Sequence, residues 1–152
     1  MHKLTALVLT LTVIVGASAL AGCGDDKPSA SDWAAKVVKV CKGLETDWSA
    51  AAAALPSDAA PTVEQLMAFY AAFGPKFASA VSEIKALDRP DGMAAAINEL
   101  FAALDAAAAR TTRGAIDAAV AEEDINSQDG APEWARLEAA SVAAGVEQCN
   151  NR

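Results

Sequence analysis

The sequence predicts an all-α fold, an up-down four-helix bundle with kinked second and third helices and one disulfide. Alanine, the strongest helix former, supplies 39 of the 152 residues. Four segments repeat apolar side chains at steps of three and four residues, which places these side chains on one face of a helix. Two cysteines, Cys41 and Cys149, fall in the first and the last of these segments. In such a bundle the start of the first helix and the finish of the fourth lie at the same end of the bundle, which is where a bridge between the two cysteines would need them.

The first helix is predicted over residues 32–54. Ser31 is its predicted N-cap, because a serine oxygen can accept a hydrogen bond from a free backbone N–H of the first turn. Leu55-Pro56 ends it, because proline cannot continue the hydrogen-bond ladder.

The second helix is predicted to begin at Thr62, where Thr62 to Gln65 matches the capping-box pattern. It ends at the turn-forming residues 89–92. Gly74-Pro75 lies in the middle of its apolar stripe. Because proline removes one helical hydrogen bond while the stripe continues in phase, we predict a kink at this point and not an end.

The third helical segment is predicted over residues 92–124. A straight helix of that length would run about 50 Å, against about 34 Å for the first, so we expect a bend at residues 111–114. The alternative is a full reversal at Gly114, which makes five helices and moves the end of the last one away from the start of the first. Pairing of the two cysteines favours the bend. The last helix begins at Pro132, a favourable first helical position.

Composition excludes two classes of protein. A net charge of −8 excludes a nucleic-acid binder that works through a general basic surface. A hydrophobic fraction of 53% excludes a disordered chain.

An uncharged stretch of 18 residues, Leu4 to Ala21, follows Met1-His2-Lys3. Its length would suit a membrane span. The short basic start and the small residues Gly16 to Ala19 are instead typical of a cleaved secretory signal.

The stretch ends in Leu20-Ala21-Gly22-Cys23, and this tetrapeptide resembles the lipobox of bacterial lipoproteins with a type II signal peptide. The resemblance implies that residues 1–22 are cleaved and that the Cys23 thiol carries a diacylglyceryl group. It also implies a lipidated tether over 23–31, a helical domain over 32–152 and a location on the extracytoplasmic face of the cell membrane. Two or three acyl chains give a lasting anchor, whereas one holds only marginally. The alternative is an ordinary signal peptide in which Cys23 is incidental.

Removal of the leader also removes His2, the only histidine, and Lys3, which changes the net charge from −8 to −9. The mature chain then has no histidine for a nucleophilic triad, for general base catalysis or for metal binding. Zinc, P-loop and dinucleotide spacings are absent from the sequence, and residues 124–130 depart from a calcium loop. We therefore predict no enzymatic activity, no metal and no cofactor, although carboxylate or lysine chemistry remains formally open.

Cys41 and Cys149 are predicted to form a disulfide, because an even pair of cysteines in an exported domain usually does. A redox-active pair is the alternative. Such pairs are usually close in sequence, as in C-x-x-C, and these two are 108 positions apart. The layout of an early and a late cysteine in a helical domain resembles small alanine-rich lipoproteins of actinobacteria, a resemblance that implies no activity.

Four aromatic residues surround the predicted kink: Phe69, Tyr70, Phe73 and Phe77. They fit the core of the bundle, because apolar side chains at helical spacing usually pack there. They also fit a groove that the kink opens for a small apolar ligand.

The predicted function is that of a membrane-anchored, non-enzymatic lipoprotein that presents a helical bundle to a protein partner at the cell envelope. The alternative is a carrier or sensor that binds a small apolar ligand at the Gly74-Pro75 kink. An exposed apolar patch would favour the first hypothesis, and an enclosed cavity lined by aromatic residues would favour the second.

Replacing Cys23 by Ser tests the lipid anchor. The variant should move from the membrane to the soluble fraction, because its tether would carry no acyl chain. Fractionation followed by a carbonate wash measures this. A Cys23→Ser variant that stays in the washed membrane pellet would contradict the lipoprotein prediction.

Overall fold

Five α-helices and a short 3-10 helix make up the computed structural model, which describes residues 27–127 and 131–150. The helices are α1 (Ala30–Ala52), α2 (Val63–Lys85), α3 (Ala94–Gly114), α4 (Ala118–Asn126), α5 (Pro132–Ala143) and the 3-10 helix Glu147–Asn150. The predicted all-α class is confirmed for these ranges. The predicted leader and Cys23 lie outside the described residues. Within the ranges, no helix combines the length and the apolarity that a membrane span requires.

α1 begins two residues before its predicted start. Its N-cap is Ser29, so the prediction of Ser31 was wrong. The Ser29 side-chain oxygen accepts a hydrogen bond from the backbone N–H of Asp32 at 3.1 Å, and the Ser29 backbone is extended, as an N-cap requires. Lys27, just before it, pairs with Asp91 at 2.6 Å. The start of α1 therefore lies beside the turn between α2 and α3.

α2 begins with the predicted capping box. The Thr62 hydroxyl accepts from the backbone N–H of Gln65 at 3.3 Å, and the Gln65 side chain accepts from the backbone N–H of Thr62 at 2.9 Å. The helix then continues through Pro75 as one element, with Pro75 exposed to solvent. The predicted kink is not confirmed.

The predicted third segment is two helices. α3 ends at Gly114, and α4 begins at Ala118 with Asp117 as its N-cap. The Asp117 carboxylate accepts from the backbone N–H of Ala119 at 3.0 Å, which favours a new helix start over a continuous bent helix. The count of four helices is therefore not confirmed.

α5 starts at Pro132 as predicted but ends at Ala143, before Cys149. The reason is Gly145, whose positive φ of 71° few other residues adopt. The N–H of Val146 donates to the carbonyl of Ser141 at 2.9 Å, and that of Gly145 to Val142 at 3.0 Å, which is a Schellman motif. The turn directs Val146 into the core and carries the chain into the 3-10 helix.

The core lies between α1, α2, α3 and α5. Gly74 of α2 faces Thr111 of α3, and Tyr70 faces Gly114, so early positions of α2 meet late positions of α3 and the two helices run antiparallel. α4 packs across α2 and α3. The largest buried side chains of the core are Trp33, Val37, Phe69, Tyr70, Phe73, Phe77, Val81, Ile84, Ile97, Leu100, Phe101, Leu104, Leu137 and Val146.

A buried arginine joins the helices at the α4 end of the domain. Arg110 of α3 is 3% exposed. Its guanidinium donates to Asp124 of α4 at 2.6 and 3.0 Å and to Glu123 at 3.1 Å, and it reaches Glu133 of α5 at 3.4 Å. The Tyr70 hydroxyl of α2 donates to the other oxygen of Asp124 at 2.6 Å. Side chains from four helices therefore meet at one charge.

Burial disfavours the charged form of Arg110, but its partners outweigh that cost. The hydrogen bonds to Asp124 and Glu123, together with the negative charges of Asp124 and Glu133, raise the pKa of Arg110 above its ordinary value. The guanidinium therefore stays charged, as arginine does in proteins generally.

Gly114 allows the ring of Tyr70 to approach α3. A Cβ atom at this position would lie 2.5 Å from a ring carbon of Tyr70, far inside van der Waals contact. The ring cannot move aside easily, because Tyr70 is 5% exposed and its hydroxyl is held by Asp124. A side chain at position 114 would therefore push the ring away from that carboxylate.

We predict that Gly114→Ala lowers the free energy of unfolding by about 1–3 kcal/mol through overpacking. The control is Gly43→Ala in α1, where a Cβ would meet nothing within 4 Å. That change should raise stability by about 0.5–1 kcal/mol, because alanine is the better helix former. Urea unfolding of both variants measures the difference, and equal effects would contradict the assigned contact.

We predict that Arg110→Met lowers the free energy of unfolding by about 3–5 kcal/mol, because it leaves the nearly buried Asp124 carboxylate without its counter-charge. The matched control is Arg136→Met, which removes the exposed ion pair with Glu99 at 2.8 Å. Water screens that pair, so its loss should be much smaller. Chemical unfolding followed by circular dichroism compares them, and similar losses would show that the Arg110 cluster has no special role.

Candidate functional site

A pocket of about 320 Å³ opens between α1, α2, α3, α5 and the 3-10 helix. Most of its wall is apolar. α1 contributes Val37, Val40, Cys41, Leu44, Glu45, Trp48 and Ser49, and α2 contributes Phe73, Phe77, Ala80, Val81 and Ile84. The remaining lining residues are Leu100 and Leu104 of α3, Trp134, Leu137 and Ser141 of α5, and Val146 and Cys149 of the C-terminal segment.

The pocket exists because α1 and α5 do not pack together. The pairs α1–α2, α2–α3 and α3–α5 are direct neighbours, whereas no Cα atom of α1 comes within 8 Å of one in α5. The four helices therefore form a row folded around an open seam between its first and last members. The pocket occupies that seam.

A row of aromatic rings crosses from one side of the seam to the other. Trp48 of α1 contacts Phe73 of α2, with ring centroids 5.0 Å apart. Phe73 stacks on Phe77 at 5.6 Å, and Phe77 meets Trp134 of α5 at 5.9 Å. All four rings line the pocket. Rigid rings in a continuous row resist collapse of α1 onto α5, because their bulk cannot be compressed.

The Cys41–Cys149 disulfide closes one wall of the pocket. The two Cα atoms are 5.3 Å apart, and both residues are half-buried and line the cavity. Cys41 lies in the middle of α1, and the turn at Gly145 brings the 3-10 helix back to it. The disulfide thus joins the two sides that the helices leave apart.

The aromatic residues named from the sequence divide between two places. Phe73 and Phe77 line the pocket, whereas Phe69 and Tyr70 do not. Phe69 packs edge-on against Trp48 at 4.7 Å in the core. Tyr70 turns away to α4 and hydrogen-bonds Asp124.

The pocket differs in position from the groove that the sequence predicts at the Gly74-Pro75 kink. Its wall includes neither Gly74, which faces α3, nor Pro75, which faces solvent. Sequence reasoning missed Trp48 and Trp134 as pocket residues. Both tryptophans lie at apolar positions that repeat with helical spacing, so the sequence indicates that they face the core. It does not indicate that α1 and α5 are separated.

Polar groups are few in the wall. Ser141 is buried, and its hydroxyl donates to the carbonyl of Leu137 at 2.8 Å. Glu45 and Ser49 are exposed on α1. Among the described residues, no group of three or more His, Cys, Asp or Glu side chains is arranged to hold a metal ion. The chemistry available in the pocket is therefore apolar contact with a polar margin.

Comparison with known proteins adds no family. No protein-family model matches the chain, and no curated protein or solved structure matches it either.

Proposed function

We propose that this chain is a lipid-anchored extracytoplasmic protein that binds a small apolar ligand in the pocket between α1 and α5. It acts without enzymatic chemistry, as a carrier or a sensor. The observation that carries the proposal is the apolar, aromatic-lined pocket of about 320 Å³.

The size of the pocket suits a ligand of modest dimensions. Ligand pockets generally span about 300–1,000 Å³, and a dry apolar cavity of about 150 Å³ already admits benzene. The pocket here therefore has room for a ligand about twice that size. Its aromatic rings and branched aliphatic side chains would remove such a ligand from water, which is the main favourable term in binding.

The proposed location rests on the leader, the lipobox resemblance and the disulfide. Disulfides persist in oxidising compartments outside the cytoplasm, so the Cys41–Cys149 bridge is consistent with export. An acyl anchor at Cys23 would then hold the domain close to the membrane, where small apolar molecules concentrate.

A bundle that works mainly by presenting a surface to a protein partner has less support. Among the described residues, the large apolar side chains that are strongly exposed are Ile116 and Val142, at 79% and 59%. One lies in the turn after α3 and the other near the end of α5. Interaction surfaces usually show a contiguous apolar patch.

The proposal includes an up-down arrangement of four main helices, α1, α2, α3 and α5, with α4 as a connection. The order of contacts supports it, because each main helix packs on the next one along the chain. A local kink at Gly74-Pro75 belongs to the same proposal. The support for it is that proline provides no N–H for the helix at that point.

Filling the pocket tests the proposed function. We predict that Ala80→Phe lowers the affinity for a neutral apolar fluorophore, N-phenyl-1-naphthylamine, by at least tenfold, because the new ring occupies the cavity. Ala78→Phe is the matched control, since position 78 lies on α2 at the exposed surface and outside the pocket wall. Fluorescence titration measures binding, and circular dichroism checks that both variants fold. Unchanged binding to a folded Ala80→Phe variant would contradict the proposal.

A further inference from the structure

The pocket is polarised from its interior to its margin. Its inner wall consists of buried aliphatic residues such as Val81, Ile84 and Leu100. Its polar margin lies on α1, where Glu45 and Ser49 are four residues apart and share one helix face. A ligand that fills this shape has an apolar body and one polar end.

The interior offers no counter-charge for that polar end. The Ser141 hydroxyl already donates its proton to the carbonyl of Leu137, so it can offer a ligand only a lone pair. The disulfide sulfur atoms of Cys41 and Cys149 are at most weak acceptors. Because an unpaired polar group costs free energy when it is buried, the polar end of the ligand must lie at the α1 margin.

Glu45 sets the charge of that margin. It is the one charged residue in the pocket wall. Its side chain makes no ion pair and no hydrogen bond with another residue of the described ranges, and Lys42, three positions earlier, does not pair with it. The carboxylate is therefore available as an acceptor.

We propose that the ligand is a cationic amphiphile, an apolar body with a single amine or ammonium group, bound with its cation against Glu45. This inference rests on the proposed ligand-binding function. The apolar wall supplies most of the affinity, and the carboxylate selects the charge of the head group. Anionic amphiphiles, such as fatty acids, are disfavoured at the same position by like-charge repulsion.

Three probes with one eight-carbon chain test the selection: octyltrimethylammonium, 1-octanol and octanoate. The purified lipid-anchored protein is held in nanodiscs of zwitterionic lipid, and empty nanodiscs correct for partition into the bilayer. Tryptophan fluorescence reports binding, since Trp48 and Trp134 line the pocket. We expect the cation to bind at least tenfold more tightly than the anion, with the alcohol between them.

The variant Glu45→Gln should lower the affinity for the cation about tenfold and leave that for the alcohol unchanged. Glu122→Gln, an exposed position on α4 outside the pocket wall, is the control for the same change of net charge. Equal binding of all three probes to the unmodified protein, or equal effects of the two variants, would overturn the head-group assignment and leave the pocket function standing. Binding of none of the probes would overturn both.

Discussion

The buried charge of Arg110 fixes how the helices of this domain meet. A guanidinium removed from water is stable only where opposite charges and hydrogen bonds surround it. Here Asp124 comes from α4 and Glu133 from the start of α5, while Tyr70 of α2 binds the same aspartate. α2, α4 and α5 must all be in register with α3 for this cluster to form. Gly114 belongs to the same constraint, because only a residue without a side chain leaves room for the Tyr70 ring.

The opposite side of the domain is held in a different way. α1 packs on α2 alone among the α-helices, and its link to the C-terminal segment passes through the 3-10 helix and the Cys41–Cys149 disulfide. A disulfide can link the two segments while the space between α1 and α5 stays open, whereas a link made by side-chain packing would fill that space. Protein interiors are usually close-packed, so a cavity of about 320 Å³ needs walls that cannot collapse. The aromatic row from Trp48 to Trp134 and the disulfide provide them, and the same features make the cavity suited to an apolar ligand.

The ends of helices were predicted correctly where a few neighbouring residues determine them. The capping box at Thr62 and the start of α5 at Pro132 depend on neighbours in sequence. Competing local signals were resolved less well, as when Ser29 and not Ser31 became the cap of α1. Of the aromatic residues named from the sequence, Phe73 and Phe77 line the pocket, whereas Tyr70 does not and was grouped with them by helical spacing alone. Its actual partner, Asp124, is 54 positions away, and no local pattern indicates a pairing at that distance.

The sequence by itself determined the helical class and the apolar faces, because these follow from alanine content, helical spacing and capping residues within a few positions of one another. Pairing of Cys41 with Cys149 was predicted once the lipobox resemblance set Cys23 aside, since the two remaining cysteines allow one connectivity. Only the tertiary structure decided that α1 and α5 stay apart, that Arg110 is buried among carboxylates and that Gly145 turns the chain back to α1. These outcomes depend on contacts between segments far apart in the chain. All of these contacts together determine the shape of the space between the packed helices. For that reason the pocket could not be predicted from any one stretch of sequence.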